Sequence, residues 1–231
     1  MSDRAEKQPE RKVRSFVRRA GRMTRAQERA WRELWPRYGI DADDEAAIAR
    51  AFGGGGGERR VLEVGFGNGE SLLDQAEDDP ETRYYGIEVH EPGIGHCLLG
   101  IERRGIDNLR LLCGDALEIM AAIPDDSIAR LNLYFPDPWP KKRHHKRRIV
   151  APGFLDLVVR VLAPGGTLHI ATDWASYAEH IDEVVAADER FELVERREHD
   201  GERPLARPRT KFEHRGLRLG HGICDWIYRL R

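Results

Sequence analysis

The sequence holds few of the residues that would give it covalent or metal staples. There are three cysteines, Cys97, Cys113 and Cys224, scattered and with no CxxC pair. A disulfide framework and a zinc site are both excluded as organising features, and a reducing cytoplasm is the expected compartment. Long apolar runs are missing as well. No stretch approaches the roughly 20 uninterrupted apolar residues of a membrane helix. The first 22 residues are polar and basic, without the apolar segment of a secretory signal. Net charge is also small, −2 over 231 residues. The total therefore says nothing about a polyanionic partner.

The distribution of charge says more. Residues 1–39 carry twelve Lys/Arg against five Asp/Glu, a net +7, and the octet Lys141 to Arg148 holds six Lys/Arg, two His and no acid. Basic concentrations in a near-neutral chain mark off a polyanion-binding face from a solvated remainder. With 40% hydrophobic and 34% charged residues, the chain reads as a soluble globular protein without membrane or metal partners. Its length suits one α/β domain with an N-terminal extension.

Residues 1–52 read as that extension. The polar residues 1–15 are expected to be disordered, and residues 16–38 interleave basic side chains with Phe16, Trp31, Trp35 and Tyr38. Trp31 and Trp35 share a helical face, and a short acidic helix is expected at 41–52. The five glycines Gly53 to Gly57 form a linker. Residues 58–231 then alternate strands (60–64, 84–89, 109–113, 128–135, 167–171) with helices (near 70–77, 94–104, 116–122, 149–162, 174–187). That alternation implies βαβ units and a doubly wound, mostly parallel sheet. Two further strands, 191–196 and 224–230, have no helix of comparable length between them and are expected to pair antiparallel at one edge. Seven strands result.

The run Glu63-Val64-Gly65-Phe66-Gly67-Asn68-Gly69 follows the first strand and opens a helix. Its third glycine comes one residue too early for the dinucleotide fingerprint GxGxxG. Three successive strands end in Glu63, Glu88 and Asp115, the last with Ala116 beside it. In an open α/β sheet such ends face the ligand crevice. Acids there suit ribose hydroxyls and an adenine amino group, and the first turn offers no Lys or Arg to a phosphate. The fourth strand ends in Tyr134-Phe135-Pro136-Asp137-Pro138-Trp139-Pro140, a loop stiffened by prolines. Trp139 is either a stacking ring for a base or a packing residue.

The acid-ended strands resemble the class I S-adenosylmethionine-dependent methyltransferases. Three segments resemble one family within them more closely, the bacterial tRNA (guanine-N7-)-methyltransferases: Arg14 to Arg19, Pro136 to Arg148, and Thr210-Lys211-Phe212-Glu213-His214-Arg215-Gly216 with Leu219-Gly220-His221. The resemblance implies a class I, Rossmann-like sheet and transfer of a methyl group from S-adenosylmethionine to a guanine of the tRNA variable loop. It implies cofactor contacts from Glu63, Gly65, Gly67, Gly69, Glu88, Asp115, Ala116 and Asp137, with Asp137 also catalytic. Lys141, Asp173, Thr210, Lys211, Phe212 and Glu213 would hold the guanine. Arg143, His144, His145, Lys146, Arg147 and Arg148 would bind RNA. The protein would work as a monomer or homodimer. Three other readings stay open on the residues alone: an NAD-dependent dehydrogenase, a non-catalytic RNA-binding module, and a methyltransferase for another base nitrogen.

Overall fold

A computed structural model describes residues 14–16, 21–53, 58–200 and 207–231. Residues 1–13 of the arm expected to be disordered over 1–15, residues 17–19 of the family-like segment and linker residues 54–57 lie outside these. The chain runs α1 (Arg25–Tyr38), β1 (Gly39–Ile40), α2 (Glu45–Phe52), β2 (Arg60–Val64), α3 (Glu70–Asp78), β3 (Arg83–Glu88), α4 (Glu91–Arg104), β4 (Leu109–Cys113), α5 (Ala116–Ala122) and β5 (Ile128–Tyr134). A 3-10 helix follows (Lys142–Arg147), then α6 (Pro152–Val161), β6 (Leu162–Thr172), α7 (Ala175–Ala186), β7 (Phe191–His199), α8 (Lys211–Arg218) and β8 (Ile223–Leu230).

The strands form one sheet in the order β1-β4-β3-β2-β5-β6-β8-β7. All pairs are parallel from β1 to β6, and β8 runs antiparallel to both β6 and β7. Three details differ from the expectation. The described residues form eight strands, because Gly39–Ile40 adds a two-residue strand beside β4. The reversed strand is β8, one in from the edge, while β7 closes the sheet. A helix, α8, does separate β7 from β8; half of its residues are charged, and Phe212 and Leu217 alone are too few for the apolar stripe by which helices are usually recognised in sequence.

Successive residues of a strand face opposite sides of the sheet, and the two cores follow from this. Leu62, Tyr85 and Ile87 pack into one apolar layer; Val61, Tyr84 and Leu109 pack into the other. Helix starts follow the sequence. Thr24 caps α1 in a reciprocal capping box with Gln27, Asp115 caps α5 and Thr210 caps α8.

The described part of the N-terminal extension belongs to this same body. Helix α1 packs along α4, where Gly95 lets the Gln27 side chain approach closely. Three of its arginines are tied to acids: Arg29 to Glu33 and Glu102, Arg32 to Glu33, Arg37 to Asp107. Arg29 and Arg37 thereby join the helix to α4 and to the loop before β4. Trp31 and Trp35 stack with ring centroids 4.7 Å apart.

Candidate active site

The parallel strands all end at one side of the sheet, and the glycine turn sits there. Gly65, Gly67 and Gly69 have φ of 75°, 62° and 83°, left-handed values that disfavour any side chain. Glu88, at the end of β3, holds the turn. Its Oε2 accepts from Gly67 N at 2.8 Å, and its Oε1 accepts from Val89 N at 2.6 Å and His90 N at 3.0 Å. A carboxylate offers about four acceptor positions, so one remains for a ligand hydroxyl. Asp115 caps α5 through Oδ1, 3.0 Å from Leu117 N. Its other oxygen makes no hydrogen bond among the described residues. Ala116 is the first residue of that helix.

Glu63, Gly65, Phe66, Asn68, Glu70, Ser71, Tyr134, Thr210, Lys211 and Phe212 line a small cavity at this turn. It unites the first strand end with the α8 segment that the sequence places 140 residues away. Phe212 reaches Gly67, whose added Cβ would stand 3.6 Å from the ring. Glu63 is buried. Burial pushes its carboxyl up to about 7, against the pull of a hydrogen bond from Gln75 and the charges of Arg130 and Arg207. Gln75 Nε2 lies 3.0 Å from Glu63 Oε2, while Gln75 Oε1 accepts from Arg130 and Asn132.

Behind α8 lies a buried charged layer. Arg207 donates to Asp225 twice (2.7 and 2.9 Å) and to Glu213 Oε2 (2.6 Å). Its guanidinium stands 5.3 Å from the centre of the Tyr134 ring and 5.4 Å from that of Phe135. Asp225 also accepts from His169 and His199, and the Tyr134 hydroxyl lies 3.1 Å from His169 Nδ1. Burial alone would raise the Asp225 carboxyl; His169 and Arg207 outweigh it and bring it down to about 2. Burial holds His169 below its ordinary value. The neutral imidazole then gives its Nε2 proton to Asp225 and accepts the Tyr134 hydroxyl at Nδ1, a tautomer assigned from the bonding pattern.

Glu213, expected at the guanine, is thus turned inward. It is wholly buried, with Oε2 accepting from Arg207 and Oε1 making no hydrogen bond among the described residues. Asp173 lies on the other flank of α8, close against Gly216 and 3.6 Å from His221 Nδ1.

Asp137 is exposed on the loop after β5. The residues that start and end its neighbourhood, Phe135 and Trp139, both have positive φ (52° and 47°). Such strain costs on the order of 1–3 kcal/mol per residue and persists only where the surroundings enforce it. The enforcing contacts are visible. Trp139 donates to Ser15 O at 3.0 Å, Arg147 lies 4.7 Å over its ring and His144 meets it edge-on. Trp139 is therefore at least partly a packing residue.

The basic octet divides in two. Lys141, Lys142, Arg143 and Lys146 are exposed. Arg148, expected at RNA, is buried; it donates to Pro138 O, Ser176 O and Ser176 Oγ and stands over Tyr177. It fastens the Asp137 loop to the start of α7 and has no exposed charge to give a phosphate. His145 is half-buried against it. His144 is held below its ordinary pKa by partial burial and by Arg143, Arg147 and Lys141.

Residues 58–226 match the model of a family described as "Putative methyltransferase". The chain is 51% identical over 222 residues to the tRNA (guanine-N(7)-)-methyltransferase of Halorhodospira halophila, across 96% of each chain. The chain belongs to the tRNA (guanine-N(7)-)-methyltransferase family. Its likeness to the family member of Alcanivorax borkumensis is 50% over 222 residues, 96% of this chain and 92% of that one. In fold alone it is similar to the 16S rRNA (adenine(1408)-N(1))-methyltransferase of Catenulisporales acidiphilia (TM-score 0.55, 18% identity, 83% of this chain and 92% of that one). The residues that sequence reasoning missed in this family member are the buried ones: Arg207, Asp225, His169, His199, Tyr134 and Gln75. A signal existed, since Asn132, His169 and Asp225 each stand between apolar neighbours in a strand.

Proposed function

We propose that this chain transfers a methyl group from S-adenosylmethionine to N7 of a guanine in the variable loop of tRNA, in the cytoplasm. The observation that carries the reading is near-full-length identity of about half to relatives of that name. The cavity chemistry supports it. The strand ends offer the carboxylates of Glu63, Glu88 and Asp115, and no cation stands in the glycine turn. That set fits a ligand with an ammonium group, ribose hydroxyls and an adenine amino group but no phosphate at the turn. A turn shaped for a dinucleotide pyrophosphate would need another glycine spacing.

S-adenosylmethionine, when bound, supplies an activated methyl group on a sulfonium. Glu63, Glu88, Asp115 and the backbone of Gly65, Gly67, Gly69 and Ala116 hold it. Thr210, Lys211, Phe212 and Lys141 border the guanine, and Asp173 accepts from its N1–H and amino group. Adenine presents the opposite donor pattern on that edge, so this contact selects guanine. N7 carries a lone pair and no hydrogen, so no side chain has to remove a proton from the attacking atom. What is required is alignment, which a stiff loop and a fixed α8 provide. The imidazole ring of the methylated base gains positive charge, and the Asp137 carboxylate favours that charge. Arg143 and Lys146 contact the RNA backbone.

The deciding measurement is nucleoside mass spectrometry of tRNA incubated with the protein and S-adenosylmethionine. The expected product is 7-methylguanosine; another methylated nucleoside, or none, overturns the assignment.

A further inference from the structure

Helix α8 has a second surface, which shares only Lys211 with the cavity. Its inward face carries Glu213 and Gly216, both buried. Its outward side chains include Lys211, His214, Arg215 and Arg218, all exposed. Positions 211, 214, 215 and 218 follow helical spacing and fall into one stripe. No acid accompanies them, because the only carboxylate of the helix points inward to Arg207.

Several arginines elsewhere are matched with acids: Arg29 and Arg37 on α1, Arg160 with Asp125, Arg190 with Asp156 and Asp188, Arg196 with Asp182. Among the described residues Arg215 and Arg218 have no such partner. Arg218 donates only to a backbone carbonyl of its own helix, His214 O. Clusters of exposed cations without an exposed acid in the same element thus stand on the 3-10 helix and on α8.

Both elements rise from the same end of the sheet. The 3-10 helix follows β5. Helix α8 precedes β8, and because β8 is antiparallel, its first residues lie beside the last residues of β6, with Cys224 opposite Thr172. The mount of α8 is rigid. Thr210 caps it, Glu213 ties it through Arg207 to Asp225, and Gly216 sits against Asp173 where a Cβ would stand 2.8 Å from the carboxylate. A cationic stripe held this firmly loses little conformational freedom when it meets a phosphate.

We infer that the outward face of α8, through Arg215 and Arg218 with Lys211 beside them, binds the phosphate backbone of the tRNA as a second contact surface, independent of the Lys142–Lys146 loop. The inference rests on the reading that tRNA is the substrate. The same helix carries Lys211 and Phe212 into the cavity, so backbone contacts on its outer side would register the target nucleotide over its inner end.

The test is a salt titration of tRNA binding by the wild-type protein, the pair R215Q/R218Q and the triple K142Q/R143Q/K146Q. Each phosphate contact contributes about 0.7–0.9 to the slope of log K against log salt. The α8 pair should lower that slope by one to two and weaken binding about tenfold or more at moderate salt. Its melting temperature and S-adenosylmethionine affinity should stay at wild-type values, since both side chains are exposed. If the α8 pair keeps the wild-type slope and affinity while the triple loses both, the α8 surface is wrong and the tRNA reading stands. If the wild-type protein shows no salt-dependent tRNA binding, the tRNA reading itself fails and takes the inference with it. A drop in slope that the charge-reversed R215E/R218E deepens supports the inference.

Discussion

Arg207 grips Asp225 with two parallel hydrogen bonds, Nε to Oδ1 at 2.7 Å and Nη2 to Oδ2 at 2.9 Å, and neither side chain has any exposed surface. Breaking a buried pair from one side leaves an uncompensated charge and costs about 3–5 kcal/mol. Arg207→Met should therefore lower stability by that amount in denaturant melts. Asp225→Asn keeps the size but sets an amide NH2 against donors that both carboxylate oxygens now accept from, so it should be destabilising as well. Because Glu213 loses its partner too, Arg207→Met should also loosen the α8 wall and weaken cofactor binding. An unchanged denaturation midpoint would show that the buried layer contributes nothing net.

The same layer sets an acid limit. Asp225 sits at about 2, below its ordinary 3.8, so its contribution is present above 3.8 and lost as pH falls through 2. His169 is also depressed, from 6.5. A buried neutral histidine binds fewer protons than its unfolded counterpart, so its contribution fades as pH drops below 6.5. Stability should fall in two stages on acidification, and His169→Gln should remove the upper one. A single stage near pH 4 in both proteins would contradict this.

Glu63 runs the other way. Its folded carboxyl is raised from 4.5 to about 7, so its own contribution to stability is fully present below 4.5 and lost as pH rises through 7. A cationic ligand prefers the ionised form. Affinity for S-adenosylmethionine should rise with pH up to about 7 and then level off, with up to tenfold lost per unit below that. Calorimetry in two buffers of different ionisation heat should detect proton release on binding near pH 6.5. Glu63→Gln should flatten the pH profile and abolish the release; a profile identical to wild type would exclude Glu63 from the ligand site.

The line between what was legible and what was not follows period and distance. Strand ends at Glu63, Glu88 and Asp115 were readable because a parallel sheet aligns them without further information. The glycine turn was readable because the left-handed backbone at Gly65, Gly67 and Gly69 admits little else. Strand β1 was not, since two residues carry no period and Gly39–Ile40 pairs only because α1 delivers it to β4. Helix α8 was not, because its apolar stripe is replaced by Glu213 and Gly216 facing a buried arginine. Arg148 reads as one more cation of the octet, and only its contacts with Pro138 and Ser176 separate it from Arg143.

That separation is measurable. Arg148→Ala removes hydrogen bonds from a buried charged group, each worth about 1.5–3 kcal/mol. It should lower the melting temperature and slow methyl transfer while leaving the salt slope of tRNA binding intact. Arg143→Gln and Lys146→Gln should do the reverse, with unchanged melting and a shallower slope. A shallower slope in Arg148→Ala, at unchanged melting temperature, would return that residue to the RNA face.

Asp137 is exposed, yet the loop that carries it is held at both ends by backbone that must be forced, Phe135 and Trp139 at φ of 52° and 47°. Arg148 grips its middle at Pro138 O and Arg147 covers the Trp139 ring. Such fixation suits a carboxylate whose work is placement of negative charge, because a preorganised charge needs no rearrangement as positive charge develops on the base. Asp137→Ala should lower the single-turnover rate by about 100-fold or more, the scale of losing one preorganised electrostatic contact, with a much smaller change in cofactor affinity. Asp137→Asn keeps the shape and removes the charge, so it should retain cofactor binding and still lose most of the rate. A single-turnover rate in Asp137→Asn equal to wild type would mean that geometry alone suffices and that the charge has no part in the transfer.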